Sequence, residues 1–362
     1  MALMREAKVH RIATQGPDDV SGLAAAIASG AISPAGILAI LGKTEGNGCV
    51  NDFTRAFSVQ SLKIELARHL PTAAVEEIAY VMSGGTEGAL SPHILVLERT
   101  AGHPVHDRPS LAIGRALTPA LPPEDLGRLA QVQMAAEGVR AAIRDAGIDD
   151  LGDVHFVQIK CPLLTSERIQ RAEAEGYSTA TRDTLKSMGL SRAASALGVA
   201  VALGELSLPD IDEAQIGRDM SLWSSRASTS AGVELENHEI VVLGMSRSWS
   251  GPLAVDHAVM ADAIDVAPVK AAMDRLALGG EAASLVALLA KAEPGTSGRL
   301  RGSRHTMLDD SDISATRHAR AFVGGVLAGL VGTAEIFVSG GAEHQGPDGG
   351  GPVAIIARRN GG

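Results

Sequence analysis

The sequence predicts an α/β protein made of three similar α/β repeat units. One short pattern (serine, a small residue, glycine, any residue, glutamate) occurs at residues 83–87, 230–234 and 339–343. Each copy of the pattern adjoins an apolar stretch. It is preceded each time by the same two elements in the same order, a strand ending in lysine and a helix that carries an arginine. Three ordered copies indicate one structural unit used three times, which would suit a ligand with three similar sides.

Apolar runs and polar connectors place the boundaries of these units. Unit A is assigned to residues 1–103, unit B to 110–248 and unit C to 254–362, with connectors at 102–109 and 245–256. Apolar or mostly apolar runs predict strands at 36–41, 78–82, 94–97, 111–114, 154–159, 240–244, 285–290, 335–338 and 353–357. Helical spacing predicts helices at 73–79, 126–146, 191–205 and 318–330. The segment 43–48 is predicted to be a loop.

The composition narrows the classes of partner. A net charge of −10 and an aromatic content of 2% disfavour a nucleic acid, which needs basic surface and stacking side chains. Two cysteines suggest no disulfide framework, and the first residues lack a signal-peptide pattern. The most hydrophobic run, 321–334, is too short to span a bilayer. We therefore expect a soluble cytoplasmic protein with no membrane partner.

Each unit supplies a lysine, an arginine and a serine. They are Lys43, Arg55 and Ser83, then Lys160, Arg192 and Ser230, then Lys291, Arg320 and Ser339. Arginine suits the carbonyl groups of a flat ligand, and a lysine buried among cations can be neutral and accept a proton from serine. The small residue after each serine lets backbone amides approach a ligand and stabilise an oxyanion. For any single copy, a turn or helix cap and a solvated lysine are the alternative interpretation.

A glycine-rich loop follows the third serine. Residues 342–351 could turn their carbonyls towards a hard cation, with a carboxylate such as Glu293, and a plain flexible loop is the equal alternative. Gly42-Lys43-Thr44 is similar to the end of a phosphate loop, but the apolar residues before it predict a strand. His305, His318 and His344 lack zinc-ligand spacing.

Several longer strings extend these motifs over essentially the whole chain. They are residues 42–48, 51–55, 83–88, 160–165, 191–198, 304–312 and 339–347. Together they resemble the cyanuric acid hydrolase and barbiturase family of cyclic amidases. The resemblance implies three α/β units around a pseudo-threefold axis, strands forming a central β-barrel, helices outside it, and a homotetramer.

The resemblance also implies how the site is divided. The ring would lie on the axis, with Ser230 as nucleophile, Lys160 as its base, and Lys43 and Lys291 in supporting Ser–Lys dyads. The substrate-binding residues are Arg55, Ser83, Gly84, Arg192, Ser230, Ala231, Arg320, Ser339 and Gly340. No cofactor is expected for catalysis. A structural cation, usually magnesium, would be bound by Glu293 and the carbonyls of Ala342, Gln345, Gly346, Pro347 and Gly350.

The predicted function is hydrolytic opening of cyanuric acid to carboxybiuret, which loses carbon dioxide to give biuret. A barbiturase, which converts barbituric acid to ureidomalonic acid on the same scaffold, is the nearest alternative. A non-catalytic binder of planar anions is an alternative of another class. A metal-dependent amidohydrolase is disfavoured, because the sequence shows no histidine pattern for a catalytic metal. Ala231 stands where the other copies have glycine, which fits a different role for the second copy.

Overall fold

The described residues, 4–102, 108–278 and 283–360 of a computed structural model, form an α/β fold with three larger sheets and one two-stranded sheet. The first part of the chain builds β1 (Met4–Ala13), α1 (Ser21–Ala28), β2 (Ile37–Thr44), α2 (Phe53–Leu66), α3 (Thr72–Glu76), β3 (Ala79–Gly84) and β4 (His93–Gly102). The middle part builds β5 (Ser110–Leu117), α4 (Leu129–Ala146), β6 (Val154–Pro162), α5 (Ser166–Ala174), α6 (Thr184–Ala202), β7 (Ala227–Gly232) and β8 (Glu239–Ser246).

The last part of the chain completes the fold. It builds β9 (Trp249–Ser250), β10 (Leu253–Met260), α7 (Ala267–Arg275), β11 (Ala283–Ala292), β12 (Arg299–Leu300), β13 (Ser303–Arg304), α8 (Ala315–Val331), β14 (Phe337–Gly340) and β15 (Gly351–Arg359). Short 3-10 helices lie at Pro34–Gly36, Pro123–Asp125, Leu151–Asp153, Leu208–Asp210 and Glu213–Gln215. No helix in the described ranges combines the length and the apolar character needed to cross a bilayer.

The three larger sheets share one strand order. Sheet I runs β1-β4-β2-β3, with β9 outside β1, sheet II runs β5-β8-β6-β7, and sheet III runs β10-β15-β11-β14. In each, the second strand along the chain pairs in parallel with the third and antiparallel with the fourth. The second strand is therefore central, and its carboxyl end lies beside that of its parallel neighbour.

The central β-barrel expected from the resemblance is not found among the described strands. The sheets remain separate. Strand β3 packs near β6, and β14 packs near β2 and β7, without forming a shared ladder. Side chains instead bond to backbone across these gaps, as when Lys160 Nζ donates to the Met82 carbonyl at 2.6 Å. Closure of a barrel requires continuous backbone pairing, which these contacts do not supply.

Strand β2 shows why the apolar runs become central strands. All of its residues are buried, because β3 and β4 flank it and both faces are covered. The strand also includes Lys43 and Thr44, so the prediction of a loop from residue 43 is wrong at its start. Parallel pairing with β3 continues through these residues and keeps them extended.

Most predicted elements are confirmed, and several boundaries are corrected. The helix predicted at 73–79 ends at Glu76, since Ala79 already belongs to β3. The connector predicted at 245–256 contains β9, which pairs with β1, and the start of β10. Part of the predicted connector at 102–109, residues 103–107, lies outside the described residues. So do residues 1–3 and 361–362, which the predicted limits of units A and C include.

The core consists mainly of aliphatic side chains. The largest cluster of buried residues joins strands from all three larger sheets and includes Leu41, Ile113, Phe156, Leu288 and Ile355. A second cluster packs sheet I against α1–α3. Because one core spans the three sheets, the strand ends that carry the serines and lysines are held close to one another.

Candidate functional site

The three lysines and three serines of the repeated pattern occupy equivalent positions. Lys43 is the register partner of Ser83, Lys160 of Ser230 and Lys291 of Ser339, each across a parallel strand pair. Neighbouring residues in a parallel ladder project from the same face, so each lysine is placed beside its serine. All six side chains are buried.

The first and third pairs are hydrogen-bonded. Lys43 Nζ donates to Ser83 Oγ at 3.1 Å, and Lys291 Nζ donates to Ser339 Oγ at 3.2 Å. Lys291 also donates to the carbonyls of Thr229 at 2.8 Å and Gly340 at 3.2 Å. These lysines hold their serines as acceptors.

The second pair differs. Lys160 Nζ donates to the carbonyl of Met82 at 2.6 Å and forms an ion pair with Glu234 Oε1 at 2.9 Å. Ser230 Oγ is buried and has no hydrogen-bond partner in the described structure. No hydrogen bond joins Lys160 to Ser230 in the described structure, although the two residues are register neighbours.

The arginines pair with the glutamates of the repeated pattern in a cyclic arrangement. Arg320 on α8 forms a two-pronged pair with Glu87 after β3, through Nε at 2.9 Å and Nη2 at 2.6 Å. Arg192 on α6 pairs likewise with Glu343 after β14, at 2.8 and 2.6 Å. Arg55 on α2 lies 3.7 Å from Glu234 after β7. Each arginine thus reaches the glutamate beside a different sheet from its own.

The glycine of the pattern makes room for these arginines. A Cβ on Gly85 would lie 2.6 Å from Cζ of Arg320, and a Cβ on Gly341 would lie 2.5 Å from Cζ of Arg192. Both glycines have positive φ, 106° and 76°. At Gly232 the group that a Cβ would meet is the carboxylate of Glu234 instead. The second copy therefore turns its glutamate inwards, towards Lys160.

The other two copies require glycine at the position that Ala231 occupies in the second. A Cβ on Gly84 would overlap the Asp52 carboxylate, and one on Gly340 would lie 2.9 Å from Nη1 of Arg320. Asp52 lies three residues before Arg55 in the first unit. In the second unit the corresponding residue, three positions before Arg192, is Gly189 and has no carboxylate. The Ala231 carbonyl accepts from Arg55 Nη1 at 3.3 Å.

Burial and neighbouring cations favour neutral lysines. Burial, followed by Arg320, lowers the pKa of Lys43 well below its usual value. Burial, followed by Arg192, lowers the pKa of Lys291 to about 7. Burial also lowers the pKa of Lys160, with Arg55 adding to the effect and Glu234 opposing it. For Glu234, burial favours the neutral acid, but Lys160 and Arg55 outweigh it and lower its pKa.

The structure brings the predicted substrate-binding residues together around one central cavity of about 20 Å³. Its lining includes Arg55, Ser83, Gly84, Arg192, Ser230, Ala231, Arg320, Ser339 and Gly340, with Lys160. That space holds about one water. A larger cavity of about 330 Å³ shares Gly48, Met188, Arg192, Arg320 and Gly340 with it and so adjoins it.

The predicted cation ligands are only partly gathered. Glu293, Ala342, Gly346 and Pro347 line a cavity of about 210 Å³, together with Glu343, whereas Gln345 and Gly350 are absent from its lining. Burial and the charge of Glu343 raise the pKa of Glu293 to about 7. A dication would relieve the repulsion between these two neighbouring carboxylates, so the residues fit a hard cation.

Sequence reasoning gave no role to the three glutamates. Glu87, Glu234 and Glu343 are the partners that orient the arginines and Lys160. The signal was present, because the glutamate belongs to the repeated pattern itself. Spacing along the chain could not show that each partner comes from another sheet.

Comparison with known proteins identifies the family. The profile of the amidohydrolase ring-opening protein family matches residues 8–358. The chain belongs to this family. Membership makes the protein a hydrolase, and curated relatives extend over nearly its full length.

Relatives of this ring-opening amidohydrolase carry consistent names. The cyanuric acid amidohydrolase of Azorhizobium caulinodans is 68% identical over 98% of both chains, and that of a Bradyrhizobium species is 63% identical over 98% of this chain and 99% of the relative. A crystal structure of the A. caulinodans cyanuric acid hydrolase matches with a TM-score of 0.93 at 67% identity, covering 99% of this chain and all of the other. Another cyanuric acid hydrolase structure gives 0.94 at 47% identity over 98% of this chain.

Proposed function

We propose that this protein is a cyanuric acid amidohydrolase that opens the s-triazine ring by attack of Ser230. The observation that carries the proposal is the convergence of three serines, three arginines and Lys160 around the central cavity, which together with the adjoining cavity of about 330 Å³ would give the ring its space. Such a set of donors suits a flat ring with a carbonyl on each of three sides. The names of the close relatives support the same substrate.

We infer a pseudo-threefold arrangement of units A, B and C. The shared strand order and the common register of each lysine and serine support it. The cyclic pairing of arginines with glutamates supports it as well, because each pair joins one unit to another. In this arrangement the ring carbonyls are each met by a serine and an arginine.

Ser230 is proposed as the nucleophile because its hydroxyl is uncommitted. Ser83 and Ser339 already accept hydrogen bonds from lysines, whereas Ser230 Oγ is buried without a partner in the described structure. Lys160 is its register neighbour on the adjacent parallel strand, and both residues line the central cavity. Burial and Arg55 favour the neutral amine that a base requires.

The reaction follows from these positions. Ser230 Oγ attacks a ring carbonyl carbon while Lys160 takes the hydroxyl proton, and backbone amides next to Ala231 stabilise the oxyanion. Collapse breaks the ring C–N bond, and Lys160 returns the proton to the leaving nitrogen. Water then hydrolyses the carbamoyl ester, which releases carboxybiuret and restores the serine. Carboxybiuret loses carbon dioxide to give biuret.

Magnesium is proposed as a structural ion beside the third serine. Glu293 and the carbonyls of Ala342, Gly346 and Pro347 would hold it, and the ion would supply positive charge that keeps both Glu293 and Glu343 ionised. Ionised Glu343 holds Arg192 in its two-pronged pair. The chemical step itself uses the side chains around the ring.

The test compares alanine variants of Ser83, Ser230 and Ser339 on cyanuric and barbituric acids. We expect Ser230→Ala to lower kcat by at least about 10³-fold, since the covalent route is lost, and the other two variants to retain measurable kcat with higher KM. Turnover near wild type in Ser230→Ala would overturn the mechanism. Faster turnover of barbituric than cyanuric acid in the wild type would assign the barbiturase activity instead.

A further inference from the structure

Two histidines and an aspartate meet where sheets II and III pack together, away from the central cavity. His155 lies on β6, and Asp256 and His257 lie on β10. Their ligand atoms all lie within 4.8 Å of one another. His155 is 102 positions before His257 in the chain, so no local sequence pattern indicates the cluster.

The separations match those of ligands on one tetrahedral metal ion. His155 Nδ1 lies 2.9 Å from His257 Nδ1 and 3.5 Å from Asp256 Oδ1. For bonds of about 2.0–2.1 Å, tetrahedral ligand atoms stand about 3.3–3.4 Å apart. The two observed distances fall on either side of that value, so shifts of about 0.5 Å would bring both to it, and the third separation lies within 4.8 Å.

The surroundings orient the aspartate and leave a position for water. Arg275 Nε donates to Asp256 Oδ2 at 2.6 Å and Arg275 Nη2 donates to the His257 carbonyl at 3.1 Å, which directs Oδ1 towards the histidines. The side chains of His155 and Asp256 keep 17% and 14% of their exposure. A fourth ligand can therefore come from solvent.

We propose that His155, Asp256 and His257 form a binding site for a first-row transition-metal dication of the zinc class. Two imidazoles and one carboxylate are ligands that zinc accepts, whereas magnesium prefers oxygen alone. The site is separate from the reaction, because His155 lies five residues along β6 from Lys160, about 16 Å in an extended strand. Its role is to fasten sheet II to sheet III.

The test uses metal-stripped full-length protein carrying Cys49→Ser, which removes the partly exposed thiol that lines the larger cavity of about 330 Å³. Zn²⁺ is titrated by calorimetry, and Co²⁺ by the visible absorption of a tetrahedral site. His155→Gln and His257→Gln are compared with His10→Gln, a matched control whose histidine bonds to the single carboxylate of Glu98 at 2.6 Å.

We expect one Zn²⁺ per chain, an increase in Tm on binding, and a loss of affinity of at least about 100-fold in either cluster variant but not in His10→Gln. Excess Mg²⁺ should not displace Co²⁺. Equal affinity in the wild type and both cluster variants would overturn the proposal. So would the absence of a tetrahedral Co²⁺ spectrum in the wild type.

Discussion

Replacing Glu234 with glutamine tests the electrostatics around Lys160. Glu234 lies 2.9 Å from Lys160 Nζ and 3.7 Å from Arg55 Nε, and both cations are buried. It opposes the two effects, burial and Arg55, that lower the pKa of Lys160. Glutamine keeps the shape but removes the charge, so Lys160 should lose its proton at lower pH.

The magnitude follows from the distance. An opposite charge within about 4–6 Å changes proton affinity by about 1–3 units, and each unit is worth about 1.4 kcal/mol. We therefore expect the acidic limb of the kcat/KM profile to move down by about 1–3 pH units, with a lower plateau because a weaker base accepts the proton. The variant should also be less stable by about 1.4–4 kcal/mol at pH 6, in line with the cost of breaking buried ion pairs.

The stability difference should depend on pH. Since the folded-state pKa of Lys160 lies below its unfolded value, the unfolded chain binds the extra proton, and stability rises with pH across that window. Lys160 loses its proton at lower pH in the folded variant, so the rise in stability begins at lower pH there. The difference in unfolding free energy between wild type and variant should therefore shrink as pH increases. Urea unfolding and steady-state kinetics from pH 5 to 10 measure both effects. The account would be refuted if the acidic limb of the kcat/KM profile did not move and the difference in unfolding free energy did not depend on pH. Glu87→Gln serves as the matched control because Glu87 pairs with Arg320.

Other changes give equally specific outcomes. Gly84→Ala should cost about 1–3 kcal/mol in urea unfolding because its Cβ would overlap Asp52, whereas Gly325→Ala, in open space on α8, should stabilise by up to about 1 kcal/mol. Arg192→Lys should lower kcat/KM about 10–100-fold, since lysine cannot reproduce the two-pronged pair with Glu343; an unchanged kcat/KM would contradict this. The raised pKa of Glu293 means that the folded, metal-free protein binds the extra proton, so its stability should fall as pH rises from about 4.5 to 7. Mg²⁺ should reverse that fall in the wild type, whereas Glu293→Gln should show neither the fall nor its reversal, as Tm measurements would show.

Much of the fold was predictable because local signals were strong. The run 36–41 is apolar throughout, and 154–159 is mostly apolar with His155 and Gln158 as its polar residues; both form central strands covered on both faces. The sequence did not predict the short strand β9. Two residues are too few to show an apolar pattern, and only their pairing with β1 defines the strand. Whether the strands close into a barrel was likewise not readable from periodicity, since it depends on hydrogen bonds between distant edges.

The candidate site was predictable as a set of residues but not as a network. The repeated pattern located the serines, lysines and arginines that surround the central cavity. It could not show that Lys160 contacts Glu234 and Met82 in place of Ser230, because these contacts cross between sheets. The homotetramer implied by the resemblance stays a prediction.

The cyclic pairing of arginines and glutamates also bears on how the chain unfolds. If one of the three parts separated from the others, its arginine and its glutamate would each lose a partner, and two pairs would break at once. The core shared by the three sheets would be opened in the same step, so partial unfolding should be rare. Repeat proteins with contacts only between neighbours can melt from one end. Here the ring of charges has no end, and the three parts should melt as one cooperative unit.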